Sequence, residues 1–466
     1  MKRRAAIIGG GVIGRGWAAR FLLHGWDVAI FDPDPDTGRK MGDVLEATRR
    51  SLPMLYETVL PEEGAMRLAG TIAEAVAGAD YVQESVPERL HLKRAVYAEI
   101  EAANRAAPLG SSTAGFKPSE LGEGLDTRGR LFVAHPFNPV YLLPLVELVP
   151  GAAEPQVVDA ASDMLTSVGF RPLRLDAGSE AHIANRLQQA VWREALWLVH
   201  DDMATTEQID EAIRLGVGLN WAQMGLFETG RSAGGAGGMA QVIEQVGQAL
   251  KTPPTKRADV PEITADFAAR VAAQSDAQSG ALGARDLERL RDRNLVAILR
   301  ALKREGSGAG AVISAQEGPI RPADPEVVPM VSLRRVVPSD WTDYNGHMNE
   351  SRYGQVFSDA ADAVLAHVGA DAEYVAQGNS FFTAETKVNY VLETHAGETI
   401  RCDTRVLMVE GKKLKLFHEM RRDADRELLA TCEQFLLHVS LETRKSCAPQ
   451  PDVLARLEAL AVTHAD

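Results

Sequence analysis

From Ala5 to about residue 150 the chain alternates short apolar runs with amphipathic stretches: Ala5–Ile8, then a helical pattern from Ile13 to His24, then Val28–Phe31. Strand-length runs of β-favouring residues separated by helix-length segments predict a parallel sheet with crossover helices. From about Ala181 to Lys303 the strand signal disappears. Segments rich in Ala, Leu, Glu and Arg, such as Ile183 to Met203 and Ala284 to Lys303, keep helical spacing and predict an all-helical second domain. The glycines of the Gly306–Gly310 stretch and prolines at 319, 322, 325 and 329 disfavour both periodicities, so residues 306–330 read as a linker. Beyond it, one helical stretch from Met348 to His367 lies among extended runs. These are Val331–Val337, Lys387–Leu392, Glu398–Leu407, Lys413–Arg421 and Leu428–Val439. One helix with about five antiparallel strands predicts a compact α+β domain over 331–445, followed by a tail over 446–466.

Length agrees with this division, since 466 residues exceed what a single core usually supports. No apolar stretch approaches the roughly 20 residues needed to cross a bilayer. The net charge of -14 argues against non-specific binding to nucleic acid or to anionic membrane. Cys402, Cys432 and Cys447 form no CxxC pair, which speaks against a zinc site or a disulfide framework. No metal is expected, and the cysteine usage fits a reducing, cytoplasmic compartment.

Gly9, Gly10, Gly11, Val12, Ile13 and Gly14 fit the pattern GxGxxG, directly after an apolar strand and at the mouth of a helix. Glycines there let the backbone turn sharply, approach a pyrophosphate and aim helix N-terminal amides at it. Asp32 closes the next strand, where a carboxylate bonds ribose hydroxyls and repels a 2′-phosphate. The cofactor expected is therefore NAD rather than NADP. Glu88, after Tyr81–Val86, reads as a solvated loop acid and is left out of the site.

The run Val133 to Pro139 places His135 at the end of an apolar strand, and Glu147 follows twelve residues later inside Leu145–Val149. Oxidising a secondary alcohol needs a base for the hydroxyl proton while hydride leaves for nicotinamide. His135 suits that task because imidazole titrates near neutrality, and Glu147 can fix its tautomer and stabilise the imidazolium. Asn185 can donate to the substrate oxygen as it becomes a carbonyl.

These residues carry a resemblance. His135-Pro136-Phe137-Asn138-Pro139 with Glu147, then Asn185-Arg186-Leu187, resembles the 3-hydroxyacyl-CoA dehydrogenase superfamily over about residues 1–305. In that superfamily the matching His, Glu and Asn are catalytic. Val133–Pro136 with Pro144–Pro150 is similar to the branch holding λ-crystallin-like gulonate dehydrogenases and carnitine dehydrogenases. The stretches Leu219–Thr229 and Gln274–Gly280 resemble the carnitine-oxidising members. One departure is Ala114, which stands 21 residues before His135 where the family has a serine; Ser112 and Thr113 are the candidates to replace it. A carnitine-like substrate would have its quaternary cation held by aromatic faces, for which Trp192, Trp221 and Phe227 are candidates, and its carboxylate by Lys117 or Arg193.

Asp340 to Asn349 contains Asp343, Gly346, His347 and Asn349 between a strand and the single helix of its domain. This resembles the DxxGHxN motif of hotdog-fold acyl-CoA thioesterases over about 331–445, in which the residue matching Asp343 is the catalytic carboxylate. Backbone amides near Gly346 and His347 at the helix start are the expected oxyanion donors. The plain alternative is a turn with a helix cap. Taken together, the resemblances imply a Rossmann-type α/β domain (1–180), an all-α dehydrogenase domain (181–305) and an α+β hotdog thioesterase domain. The expected enzyme is bifunctional, similar to fused carnitine dehydrogenase and betainyl-CoA thioesterase proteins. It would act on carnitine and on a CoA thioester and form a homodimer. The alternatives are a 3-hydroxyacyl-CoA or gulonate dehydrogenase with a non-catalytic dimerisation module, and a crystallin-like structural protein.

Overall fold

The structure, a computed structural model, describes residues 2–126, 128–175, 182–223, 225–233, 242, 262, 264–279, 283–317 and 321–464. The chain divides into two compact units, Met1–Arg49 with Pro61–Ile313, and Arg50–Leu60 with Ser314–Asp466.

The first unit holds an eight-stranded sheet in the order β3-β2-β1-β4-β5-β6-β7-β8. Its strands are β1 (Arg4–Ile8), β2 (Asp27–Phe31), β3 (Met66–Leu68), β4 (Tyr81–Glu84), β5 (Leu109–Ser111), β6 (Leu131–Pro136), β7 (Leu145–Val149) and β8 (Arg171–Arg174). Neighbours pair in parallel except β6 with β7, which run antiparallel. Ile7, Ile8, Val82, Phe132 and Val133 are completely buried, as expected for strands covered on both faces.

The helix Val12–Leu23 is fixed to this sheet from two sides. Trp17 packs at a tilt against Phe170, with centroids 4.8 Å apart, and its indole N–H donates to Ser112 Oγ at 3.1 Å. Arg20, also buried, donates to the carbonyls of Val168, Tyr141 and Gly169 at 2.7, 2.9 and 2.5 Å. Hydrogen bonds of this charged kind contribute about 1.5–3 kcal/mol each, so the helix that opens at Gly11 is held rigidly.

Beyond His182 the described residues of the first unit are helical: Ile183–His200, several short helices between Thr206 and Ala233, Ala265–Ser279 and Ala284–Arg304. A further helix, Gly308–Glu317, lies where glycine and proline content predicts irregular linker. Its glycines serve packing, since a Cβ on Gly310 would come within 2.1 Å of the Lys303 backbone nitrogen. The close approach of two helices explains a composition that otherwise reads as loop.

The second unit carries a five-stranded antiparallel sheet in the order β10-β13-β12-β11-β9. The strands are β9 (Met330–Val336), β10 (Asn379–Tyr390), β11 (Thr399–Glu410), β12 (Lys413–Arg422) and β13 (Leu428–Ser440). The helix Glu350–His367 lies on this sheet through Tyr353, Val356, Phe357, Ala360 and Val364, the spacing of one helical face. Under it a polar ladder crosses four strands: Ser332 to Thr404 at 2.7 Å, Thr404 to His418 at 2.8 Å, and His418 to Gln434 at 3.1 Å. Burial pushes the His418 imidazole down to about 4. The expected tail is corrected in part, because Pro451–Thr463 is a helix whose Val453 and Leu457 join the core with Val406 and Leu436.

Candidate active sites

At the dinucleotide motif, Gly9 has φ +105°, and a Cβ there would lie 2.5 Å from the Ser85 carbonyl oxygen. A Cβ on Gly14 would fall 1.8 Å from the Gly9 carbonyl, so neither position admits a side chain. Gly11 begins the helix with no side-chain cap and open space beside it, and Val12 is 59% exposed. Open N-terminal amides beside an uncovered apolar side chain fit a pyrophosphate. Asp32 closes β2, where its carboxylate accepts the N–H groups of Gly10 at 2.5 Å and Asp34 at 2.8 Å. Those bonds aim a half-buried carboxylate at the mouth of the glycine turn. The residues present fit NAD.

His135 and Glu147 are register partners across β6 and β7. Their separation, His135 Nδ1 to Glu147 Oε2, is 3.8 Å, an ion-pair distance slightly too long for a hydrogen bond. Both atoms are buried without a hydrogen-bond partner. Glu147 has no exposure at all, and its other oxygen accepts the Ala184 N–H at 2.9 Å. The first turn of the helix Ile183–His200 thus grips this carboxylate. Burial raises the Glu147 carboxyl above its ordinary range, while those helix amides oppose the rise. His135 is pushed down to about 4 by burial first, then by the neighbouring His182, with Glu88 acting in the opposite direction. A neutral imidazole, ready to accept a proton, is what this environment favours.

Asn185 stands on the same first turn. Its amide donates one hydrogen to the Ala114 carbonyl at 2.8 Å, leaving a second hydrogen on Nδ2. The position that lacks the family's serine therefore meets Asn185 through its backbone. Ser112 does not take over as a free hydroxyl, because it bonds Trp17 Nε1, Gln83 Nε2 at 2.8 Å and Ser85 Oγ at 2.8 Å. Thr113 is committed as well, its hydroxyl donating to Glu88.

Two features escaped the sequence reading. His182 is 3% exposed, its ring lies 4.6 Å from that of His135, and neither ring nitrogen has a partner. No motif marks it; its place just before the Asn185 turn was the available signal. Glu88 is more than a solvated acid. It pairs with Lys93 at 3.3 Å, and Lys93 is itself buried against Glu84 at 2.7 Å. Glu84 also accepts from Tyr97 and Ser111, which fixes the ends of β4 and β5 where the loop toward the cofactor begins.

Trp192, Trp221 and Phe227 are 59, 42 and 68% exposed on their helices. Of the stretches that resemble carnitine-oxidising proteins, Met224 and Gly280 lie outside the described residues.

In the second unit, Asp343 sits on a tight turn. Its carboxylate accepts the Asn345 N–H at 2.8 Å, its carbonyl accepts the Gly346 N–H, and its own N–H donates to the His347 carbonyl. Gly346 has φ +82°, which a side chain would disfavour. The expected helix-start donors are corrected here. The helix begins at Glu350 and is capped by Asn349, whose side chain accepts the Ser351 N–H, while the Gly346 amide is already used in the turn. Turn, cap and half-buried carboxylate therefore coexist in one short segment.

Comparison with known proteins adds to this geometry. The profile of the 3-hydroxyacyl-CoA dehydrogenase NAD-binding domain matches residues 4–177, and that of the same family's C-terminal domain matches residues 182–269. The profile of the thioesterase-like superfamily matches residues 336–457. Over 99% of its length the chain is 54% identical to the L-carnitine dehydrogenase/betainyl-CoA thioesterase of Ruegeria pomeroyi, 96% of which is covered. It is 49% identical over 98% of its length to the protein of the same name from Agrobacterium fabrum, with 94% of that protein covered. Among solved structures, 5-formyl-3-hydroxy-2-methylpyridine 4-carboxylic acid 5-dehydrogenase, an NAD+-dependent dismutase, is 26% identical with a TM-score of 0.55. That match spans 65% of this chain and 99% of the other.

Proposed function

The chain belongs to the L-carnitine dehydrogenase/betainyl-CoA thioesterase family, and on that premise we propose how its residues divide the two reactions. The protein is an NAD-dependent enzyme that oxidises L-carnitine to 3-dehydrocarnitine and hydrolyses a CoA thioester, betainyl-CoA, to glycine betaine and CoA. The observation that carries the first assignment is the pairing of His135 with buried Glu147, in register across β6 and β7 of the sheet that also carries the glycine turn.

When bound, NAD would supply the hydride acceptor. The turn Gly9–Gly14 would hold its pyrophosphate and Asp32 its adenosine ribose. His135 takes the carbinol proton at Nε2, since Nδ1 faces Glu147. A closure of about 1 Å brings Nδ1 within hydrogen-bond reach of Glu147 Oε2, the tightening expected when substrate fills a site. Glu147 then stabilises the imidazolium. The second amide hydrogen of Asn185 polarises the oxygen as it becomes a carbonyl. The exposed rings of Trp192, Trp221 and Phe227 are the surfaces offered to the trimethylammonium group.

In the hotdog domain, Asp343 acts as base on water or as nucleophile on the thioester carbonyl. The protein works as a homodimer in the cytoplasm. The edge strand β10 supports the dimer, because it has one neighbour and leaves Phe382, Tyr390 and, just beyond it, Val391 exposed at 43, 55 and 54%. Three free cysteines suit a reducing compartment, and no helix among the described residues is long and apolar enough to cross a membrane.

Absorbance of NADH, followed with L-carnitine, D-carnitine, 3-hydroxybutyryl-CoA and gulonate as substrates, tests the dehydrogenase. Strong signal with L-carnitine is expected, and silence with it would remove the assignment. Thiol release from betainyl-CoA tests the other half.

A further inference from the structure

His347, Glu393 and His395 meet on the surface of the hotdog domain although 46 residues separate the first from the second. Each offers one ligand atom, and these atoms all lie within 4.8 Å of one another. Among the described residues this is the one grouping of three such side chains with that property. An antiparallel backbone bridge joins His347 to His395, and their rings meet edge to face with centroids 4.8 Å apart. His347 Nδ1 stands 3.5 Å from Glu393 Oε2.

From this geometry we propose that His347, Glu393 and His395 form a binding site for a transition-metal cation of the zinc class, on the turn that carries Asp343. Two imidazoles and a carboxylate are a donor set that such cations prefer over magnesium or calcium. Bond lengths of about 2.0–2.1 Å place tetrahedral ligand atoms roughly 3.3 Å apart, and one edge of that figure, His347 to Glu393, is already close to this value. The other ligands close by rotation of exposed side chains, which costs little packing. His395 has a partner for its second nitrogen, since Nδ1 lies 3.2 Å from the Gly346 carbonyl. Donation to that oxygen fixes the tautomer and leaves Nε2 with the free lone pair, the outer-sphere arrangement common to ligating histidines. Three protein ligands leave a fourth position for water or an anion.

The test uses the untagged full-length protein stripped with chelator and titrated with Co2+, then with Zn2+ in competition. The expected result is one cation per chain, a d–d absorption band without thiolate charge transfer, and a zinc dissociation constant of roughly 1–10 µM. His395→Ala and Glu393→Gln, both at exposed side chains, are expected to weaken binding at least tenfold while thermal melts stay unchanged. Absence of binding below about millimolar Co2+ overturns the site, as does unchanged affinity in both variants or a spectrum with a thiolate band. Zinc at saturation is also expected to slow thioester hydrolysis at least tenfold, reversibly with EDTA. That consequence rests on the thioesterase reading above. Binding that leaves hydrolysis unaffected counts against the placement of Asp343 in the reaction and leaves the metal site standing.

Discussion

His135 is 13% exposed beside a carboxylate with no exposure at all, whereas Asp343 stands half-buried on a turn next to Tyr344, which is 97% exposed. The dehydrogenase site gathers β6, β7 and a helix N-terminus, and it keeps water away from a histidine–carboxylate pair. The thioesterase turn takes its geometry from seven consecutive residues and a helix cap, with its carboxylate held by a local amide. The contrast teaches that burial sets the acid–base state of the first site, whereas a local turn sets the geometry of the second.

Breaking the buried pair gives the largest effect. His135→Ala is expected to lower carnitine turnover by at least about 100-fold with NAD affinity retained, read by initial rates and by cofactor titration. At the open site, Asp343→Ala is expected to reduce thiol release from betainyl-CoA by about 100-fold and to leave NADH formation unchanged. Wild-type thiol release in that variant would return Asp343 to the role of turn former.

A smaller effect falls on the cofactor. Asp32→Ala removes the carboxylate that Gly10 and Asp34 hold at the end of β2. The expected result is a roughly tenfold rise in the KM for NAD and a narrower preference over NADP. A selectivity that stays put would place the ribose contact elsewhere.

The remaining effect is on stability and concerns a buried histidine. His418 is held down to about 4 in the folded state by burial. The unfolded chain therefore binds the proton more readily, so this contribution is complete above about pH 6.5 and is lost as pH falls toward 4. The loss amounts to about 3 kcal/mol for this one group. Denaturant unfolding of wild type and His418→Asn at pH 7.5 and pH 5 checks it, and the variant is expected to show the flatter pH dependence.

The fold was legible wherever hydrophobic periodicity was strong: the parallel strands, the long helices and most of the antiparallel sheet stand where apolar runs place them, but β10 begins at Asn379, eight residues before the expected run Lys387–Leu392. The helix Gly308–Glu317 was not, because its glycines answer to the backbone of Lys303 rather than to helix propensity. Pro451–Thr463 falls in the expected tail, although Val453 and Leu457 carry helical spacing and Pro451 suits a first turn. Of the site residues, Gly9–Gly14, Asp32 and His135 lie at strand ends, where sequence order and spatial order coincide, and Glu147 faces His135 from the middle of the neighbouring strand. Asn185 lies farther along the chain, where only its capacity to donate, and then the resemblance, point to it. His182 has no pattern of its own, and its meaning comes only from a ring 4.6 Å away. Glu393 and His395 were invisible because a backbone bridge, which leaves no trace in spacing, brings them to His347.

The central claim is that one chain holds two separate reaction centres, one driven by a largely buried imidazole and one by a half-buried carboxylate on a surface turn. The most direct test assays His135→Ala and Asp343→Ala side by side for NADH formation from L-carnitine and for thiol release from betainyl-CoA. Each variant is expected to lose its own reaction and keep the other near the wild-type rate. A His135→Ala enzyme that still oxidises L-carnitine at the wild-type rate would contradict the account.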